Sequence, residues 1–144
     1  MANNVAAILK RKTKKIISIS PEDTTLQALQ KMADNNIGSL VVMKDEQYVG
    51  IISERDYSRK VVLMGKHSHE TPVVEIMNTD SPIVSPQHSI EDCLDIITKT
   101  HARYLPVLEN GHVAGIISIV DLVHETSLMY KESADQLRSY ITSA

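Results

Sequence analysis

Tryptophan and phenylalanine are absent from this 144-residue chain, and tyrosine occurs only five times. The core must therefore be aliphatic, and a planar ligand would sit between Ile, Leu, Val and Met side chains because aromatic platforms are scarce. A single cysteine excludes an internal disulfide and makes a reducing compartment the expectation. No apolar run approaches the ~20 residues needed to span a bilayer. The opening Met1-Ala2-Asn3-Asn4-Val5 also lacks the charged-then-apolar order of a secretory signal. These absences predict a cytoplasmic protein with no membrane segment. A net charge of −3 gives no global pull toward nucleic acid or an anionic surface. The remaining composition, 42% hydrophobic and 23% charged, is that of one compact globular body.

The chain repeats itself at a spacing of 65 residues. Ser20-Pro21 falls on Ser85-Pro86, Leu29 on Leu94, Leu40 on Leu105, and Gly50-Ile51-Ile52-Ser53 on Gly115-Ile116-Ile117-Ser118. Residues 19–56 give ten identities in 38 ungapped positions, where average composition gives about two. Two copies are too few for a solenoid, so the repeat predicts a closed pseudo-symmetric pair. The first copy is placed at residues 1–66 and the second at 71–144, with a polar linker at 66–71.

Each copy reads as strand, helix, strand, strand, helix. An extended stretch at 16–20 is stopped by Pro21, and Thr24 with Gln27 has capping-box spacing, matched by Ser89 and Asp92. Leu26, Leu29, Met32, Ala33 and Ile37 recur at helical spacing. Strands follow at 40–43 and 48–53, joined by a polar turn, and Asn110-Gly111 marks the corresponding hairpin. A further helix is expected from Asp56 to Met64, ending at Gly65. Its counterpart runs from Asp121 nearly to the C-terminus, with a stripe of Leu122, Thr126, Met129, Leu137, Tyr140 and Ile141. Helices and small sheets in one repeating unit predict an α+β fold around a shared core.

The sharpest motif is Gly-Ile-Ile-Ser-x-x-Asp, at Gly50 to Asp56 and again at Gly115 to Asp121. A strand ends, a hydroxyl follows, and a carboxylate stands at the mouth of a helix. One role is capping, with Ser as N-cap and Asp near N3. Another is ligand binding, since an ionised Asp can accept both hydroxyl protons of a ribose and helix N–H groups can meet a phosphate. The two roles are compatible.

Gly-Ile-Ile-Ser-Glu-Arg-Asp and Gly-Ile-Ile-Ser-Ile-Val-Asp, each after an amphipathic helix and an apolar strand, resemble paired cystathionine β-synthase (CBS) domains. Val74-Glu75-Ile76-Met77 resembles the opening segment of such a domain, and Arg103-Tyr104-Leu105-Pro106-Val107 its central strand. The resemblance covers nearly the whole chain and is greatest to small stand-alone proteins made of one CBS pair, or Bateman module. It implies tandem pseudo-twofold repeats with two clefts that bind adenosine compounds such as AMP, ADP, ATP, NAD or S-adenosylmethionine. Carried over residue by residue, the first cleft gathers Ser53, Arg55 and Asp56, facing Ile83, Val84, Arg103 and Tyr104. The second gathers Ser118 and Asp121, facing Ile17, Ile19, Ile37 and Gly38. This chain departs from the family in having Tyr104 where His is common. Gly38 stands where the second copy has Arg103, so the first cleft is expected to hold phosphate-bearing ligands more tightly.

Other features carry less. The basic run at residues 10–15 could touch RNA or DNA, but it has no interleaved aromatics and reads first as a solvated segment. His67-Ser68-His69 has no nearby Cys and falls short of the four matched ligands of a zinc site. Cys93 corresponds to Ala28, which suits a small structural residue better than a nucleophile. With no catalytic set visible, the expectation is a non-catalytic regulatory module, with nucleic-acid binding through 10–15 as the alternative. It should use no metal or catalytic cofactor, form a homodimer through apolar helix faces around Met129, Leu137 and Tyr140, and act on an unidentified protein partner.

Overall fold

The structure, a computed structural model, describes residues 3–12 and 15–143; Thr13 and Lys14 of the basic run lie outside the described residues. The order is α1 (Val5–Arg11), β1 (Ser18–Ile19), α2 (Thr25–Asn35), β2 (Ser39–Lys44), β3 (Gln47–Ser53) and α3 (Glu54–Tyr57), then a π-helical turn at Ser58–Val62. The second half adds α4 (Val73–Ile76), α5 (Ile90–Thr100), β4 (Tyr104–Glu109), β5 (His112–Ser118) and α6 (Ile119–Ser143).

Local chemistry sets the helix boundaries, and it does so twice. Thr24 Oγ1 accepts from Gln27 N at 3.1 Å while Gln27 Oε1 accepts from Thr24 N at 2.8 Å, closing the expected capping box. Ser89 caps α5 through Asp92 N at 2.9 Å. Both helices stop at corresponding left-handed residues, Asn36 and His101, with φ of 52° and 60°. In each half an antiparallel hairpin follows, with a register shift at the same place, Val42/Met43 and Val107/Leu108. The opening strand is shorter than the sequence suggests. β1 pairs with β2 in parallel over two residues only, and its counterpart reduces to one bridge, Val84 to Val107.

The sequence gives no warning of how the halves are joined. Val5 and Ile8 of α1 are buried with Val84, Ile90, Cys93, Leu105, Ile117 and Leu122 of the second half. Reciprocally, Val73 and Ile76 of α4 are buried with Ile19, Met32, Leu40, Ile52 and Val61 of the first. Matching hydrogen bonds hold both exchanges. Val5 N donates to His88 O and Val73 N to Asp23 O; Ala6 N donates to Pro86 O and Val74 N to Pro21 O. The helices also pass close over the hairpins. A Cβ on Gly115 would lie 2.8 Å from Leu9 Cδ2, and one on Gly50 would lie 2.9 Å from the Asn78 carbonyl oxygen. Glycine opens the repeated motif because another segment lies on it.

The final helices depart from symmetry. Both begin two residues before the Asp, because Ser53 and Ser118 accept from the backbone N–H of Asp56 and Asp121 at 3.2 and 3.1 Å. In the first half, one α-helical turn gives way to the π-turn, where Leu63 N donates to Ser58 O at 3.0 Å. α6 instead continues for 25 residues. Leu122 is fully buried and Met129 packs on the core, whereas Leu137, Tyr140 and Ile141 are exposed.

Two predictions follow from this packing. Burial, aided by neighbouring Asp92, pushes the Cys93 thiol up to about 11 from 9.0. A raised folded-state pKa stabilises fully below pH 9, and that contribution is lost as pH rises from 9 to 11. Cys93→Ala, the residue already present at position 28, should flatten the alkaline loss of stability in urea titrations at pH 8 and pH 10.5. Second, Gly38 lies against the Tyr104 hydroxyl, where a Cβ would clash. Gly38→Ala should cost about 1–3 kcal/mol by overpacking, and Tyr104→Phe in the same chain should restore most of it. Additive losses would show that the contact is not responsible.

Candidate functional site

A cavity of about 350 Å³ opens where the halves meet, within the size range of small-ligand sites. Three segments form it. Ile51, Ser53, Arg55 and Asp56 come from the end of β3 and from α3. Residues 78–82 come from the chain leaving α4, and residues 100–104 from the turn between α5 and β4. Asn78 is fixed against Ile51 by backbone bonds in both directions, 3.0 and 2.8 Å, which seats the second segment.

Ser53 and Asp56 form a complete capping box. Asp56 Oδ2 accepts from Ser53 N and Ser53 Oγ, each at 3.0 Å. Its other oxygen, Oδ1, lies 3.2 Å from Lys60 Nζ, which also donates to Ile76 O at 3.0 Å. The guanidinium groups of Arg55, Arg59 and Arg103 have neither a hydrogen bond nor an ion pair among the described residues. They sense each other: Arg59, followed by desolvation and Arg103, pulls the Arg55 guanidinium below its ordinary value despite the opposing Asp56. Burial, then the Glu54 charge, pushes the Tyr104 phenol up, with Arg103 opposing. Like charges gathered at a cavity mouth favour an anion.

The structure brings five residues of the first expected set to this cavity: Ser53, Arg55, Asp56, Arg103 and Tyr104. Val84 is instead a core residue, 2% exposed, and Ile83 is exposed outside the lining. Asn78, Asp80, Thr100 and His101 also line the cavity. Sequence reasoning missed Asn78 and Asp80 because the segment leaving α4 is placed by pairing with β3, and Thr100 and His101 because they end α5 without a motif of their own. Of the second set, Ser118 and Asp121 stand together at the start of α6, with Ser118 N 2.8 Å from Asp121 Oδ2. Ile19 lies in the first core cluster, with Ile17 and Ile37 packed against it, and Gly38 faces Tyr104.

The secondary candidates are held by local contacts. Within the basic run, Arg11 pairs with Glu125 and Lys12 with Asp121. The linker caps α2: Thr25 N donates to Thr71 O at 2.8 Å and Leu26 N to Ser68 O at 3.0 Å. The rings of His67 and His69 lie 5.8 Å apart on that linker. Cys93 is fully buried in the second cluster.

Comparison with known proteins identifies the fold and the family. The CBS-domain family profile matches the chain twice, over residues 5–63 and 73–127. The mitochondrial CBS domain-containing protein CBSX3 of Arabidopsis thaliana is 32% identical over 125 residues, 83% of this chain but only 61% of that protein's length. The CBS domain-containing protein YhcV of Bacillus subtilis is 28% identical over 122 residues, 85% of each chain. Among solved structures, the CBS-domain protein ATU1752 of Agrobacterium tumefaciens superposes with a TM-score of 0.78 at 30% identity, covering 84% of this chain and 97% of its own. The match to a further CBS-domain structure, NE2398, has a TM-score of 0.81 at 45% identity over 85% and 96% of the two chains. With one family match on each copy of its internal repeat, the chain belongs to the CBS-domain family as a paired CBS module.

Proposed function

We propose that this module is a non-catalytic regulatory unit that binds an adenosine-containing ligand (AMP, ADP, ATP or NAD) in the first cleft and transmits its occupancy to a protein partner. The observation that carries the reading is the pair of guanidiniums lining the cavity, Arg55 and Arg103, beside the Ser53–Asp56 pair, with Arg59 near enough to Arg55 to repel it. A phosphate relieves their mutual repulsion and takes charge-assisted hydrogen bonds, with Arg offering a bidentate fork. Among the described residues Asp56 Oδ1 carries only the Lys60 contact, which leaves acceptor capacity for a ribose hydroxyl. The nucleic-acid alternative is weakened because Arg11 and Lys12 are engaged with carboxylates of the same chain.

Calorimetry with the four compounds tests the reading. Arg103→Ala should weaken AMP about tenfold or more, since a hydrogen bond to a charged group contributes roughly 1.5–3 kcal/mol. Asp56→Ala should remove the tighter site, and Asp121→Ala should leave it nearly intact. No melting shift with any compound, at a concentration where a hundredfold excess over Kd would add about 2.7 kcal/mol, sinks the proposal. So does loss of the tight site in Asp121→Ala. Oligonucleotide binding with a steep salt dependence would favour the alternative.

The assembly proposed is a homodimer. Val62, Leu63 and Met64 at the end of the π-turn, and Val120 and Val123 on α6, present exposed apolar surface in both halves. CBS relatives do oligomerise, among them a hexameric CBS-CP12 protein from cyanobacteria at 26% identity and a TM-score of 0.75. Light scattering at micromolar concentration should give twice the chain mass, and Leu63→Glu with Val123→Glu should halve it. A monomeric mass for the unmodified protein rejects the dimer.

A further inference from the structure

The two halves differ where the chain leaves its leading helices, and the difference falls on the second cleft. α4 ends at Ile76 after one turn, and Asn78 then pairs with Ile51, so the chain runs along the wall of the first cavity. α1 continues to Arg11. The additional length carries Arg11 and Lys12 across the start of α6. Lys12 Nζ lies 2.8 Å from Asp121 Oδ2 and 2.9 Å from the Ile116 carbonyl oxygen. Arg11 pairs with Glu125, which is 2% exposed.

The repeat explains why a distant segment is recruited. Glu125 occupies the position of Lys60, which neutralises Asp56 from its own helix. In the second half that internal cation is replaced by an acid, leaving Asp121 and Glu125 four residues apart on one face of α6. Such a pair is unfavourable on its own. Two consecutive bases from α1 answer it.

We propose that Arg11-Lys12 is an intramolecular latch on the second cleft. Lys12 Nζ lies on Asp121 Oδ2, the oxygen that also accepts from Ser118 N, so a ligand hydroxyl must displace or share that cation, and the cleft accepts an adenosine compound more tightly when the end of α1 releases it. This inference rests on the ligand-binding reading of the Ser-x-x-Asp motif made above. Arg11 is the anchor, because a buried Glu125 deprived of its partner is strongly disfavoured. Lys12 is the yielding member, with a side chain 37% exposed. A partly exposed pair of this kind amounts to a factor of about five in a binding constant.

The test removes Lys12 and keeps the anchor. In an Asp56→Ala background, where the second cleft alone reports, Lys12→Met should tighten AMP binding about fivefold by calorimetry, and adding Asp121→Ala should abolish it. Unchanged or weaker binding overturns the latch, the second result making Lys12 a ligand contact. A ligand-free readout separates this outcome from failure of the nucleotide reading. Amide hydrogen exchange across residues 8–12 should accelerate about fivefold in Lys12→Met, with α5 unchanged. If AMP binds neither cleft of the unmodified protein, the nucleotide reading falls and exchange alone decides: unaltered protection of α1 overturns the latch.

Discussion

Each half of this molecule is completed by a helix belonging to the other. Val5 and Ile8 fill the second core, and Val73 and Ile76 fill the first. Burying an aliphatic side chain of this kind contributes about 1.5–3 kcal/mol, so neither repeat owns enough of its core to be independent of its twin. The first cavity inherits this arrangement. Its wall at residues 78–82 is the continuation of α4, held to β3 by the two Asn78–Ile51 bonds. The glycines that open the Ser-x-x-Asp motifs lie under these crossing segments, a side chain at Gly50 meeting the Asn78 backbone and one at Gly115 the end of the Leu9 side chain.

What could be read from sequence was whatever depends on short range or on the repeat itself. The capping box at Thr24 and Gln27, the hairpins and the stop at Gly65 need only neighbours within a few residues, and they are present. The expectation of a solvated run at residues 10–15 overlooks α1, because Lys10 and Arg11 form its last turn. The signal was there: Asn4 accepts from Ala7 N at 3.2 Å as an N-cap, and Val5, Ile8 and Leu9 follow at helical spacing. The π-turn had no such signal, because an i to i+5 bond reports tertiary packing and not residue preference. The partners of Arg11 and Lys12 lie more than 100 positions away, beyond any pattern along the chain.

The candidate site was legible in its charged members and less so in its apolar ones. Ser53, Arg55, Asp56, Arg103 and Tyr104 converge because their motifs sit at strand and helix ends, whose positions the repeat fixes. The family resemblance implies a place for Val84 in the cleft, on the opening strand. That strand is a single bridge in the second half, and its one paired residue turns inward to the core. Strand alternation decides such a residue's face, and one bridge gives too short a run to read it.

Capping and binding are not rival uses of the Ser-x-x-Asp motif, because they draw on different atoms. Asp56 Oδ2 and the Ser53 groups close the helix start, while Oδ1 faces Lys60. The cap therefore keeps the carboxylate in one orientation without exhausting it, and the π-turn carries Arg59 and Lys60 on the helix that follows. Arg55 is repelled by Arg59 and Arg103 more than Asp56 attracts it, and a bound anion would offset that repulsion. The same motif in the second half meets a different environment. Ile119 and Val120 replace Glu54 and Arg55, Glu125 replaces Lys60, and the cations near Asp121 come from α1. A duplicated fold has thus kept its caps and its cores alike while the charges around each cap have diverged, and it is those charges that make the two clefts chemically distinct.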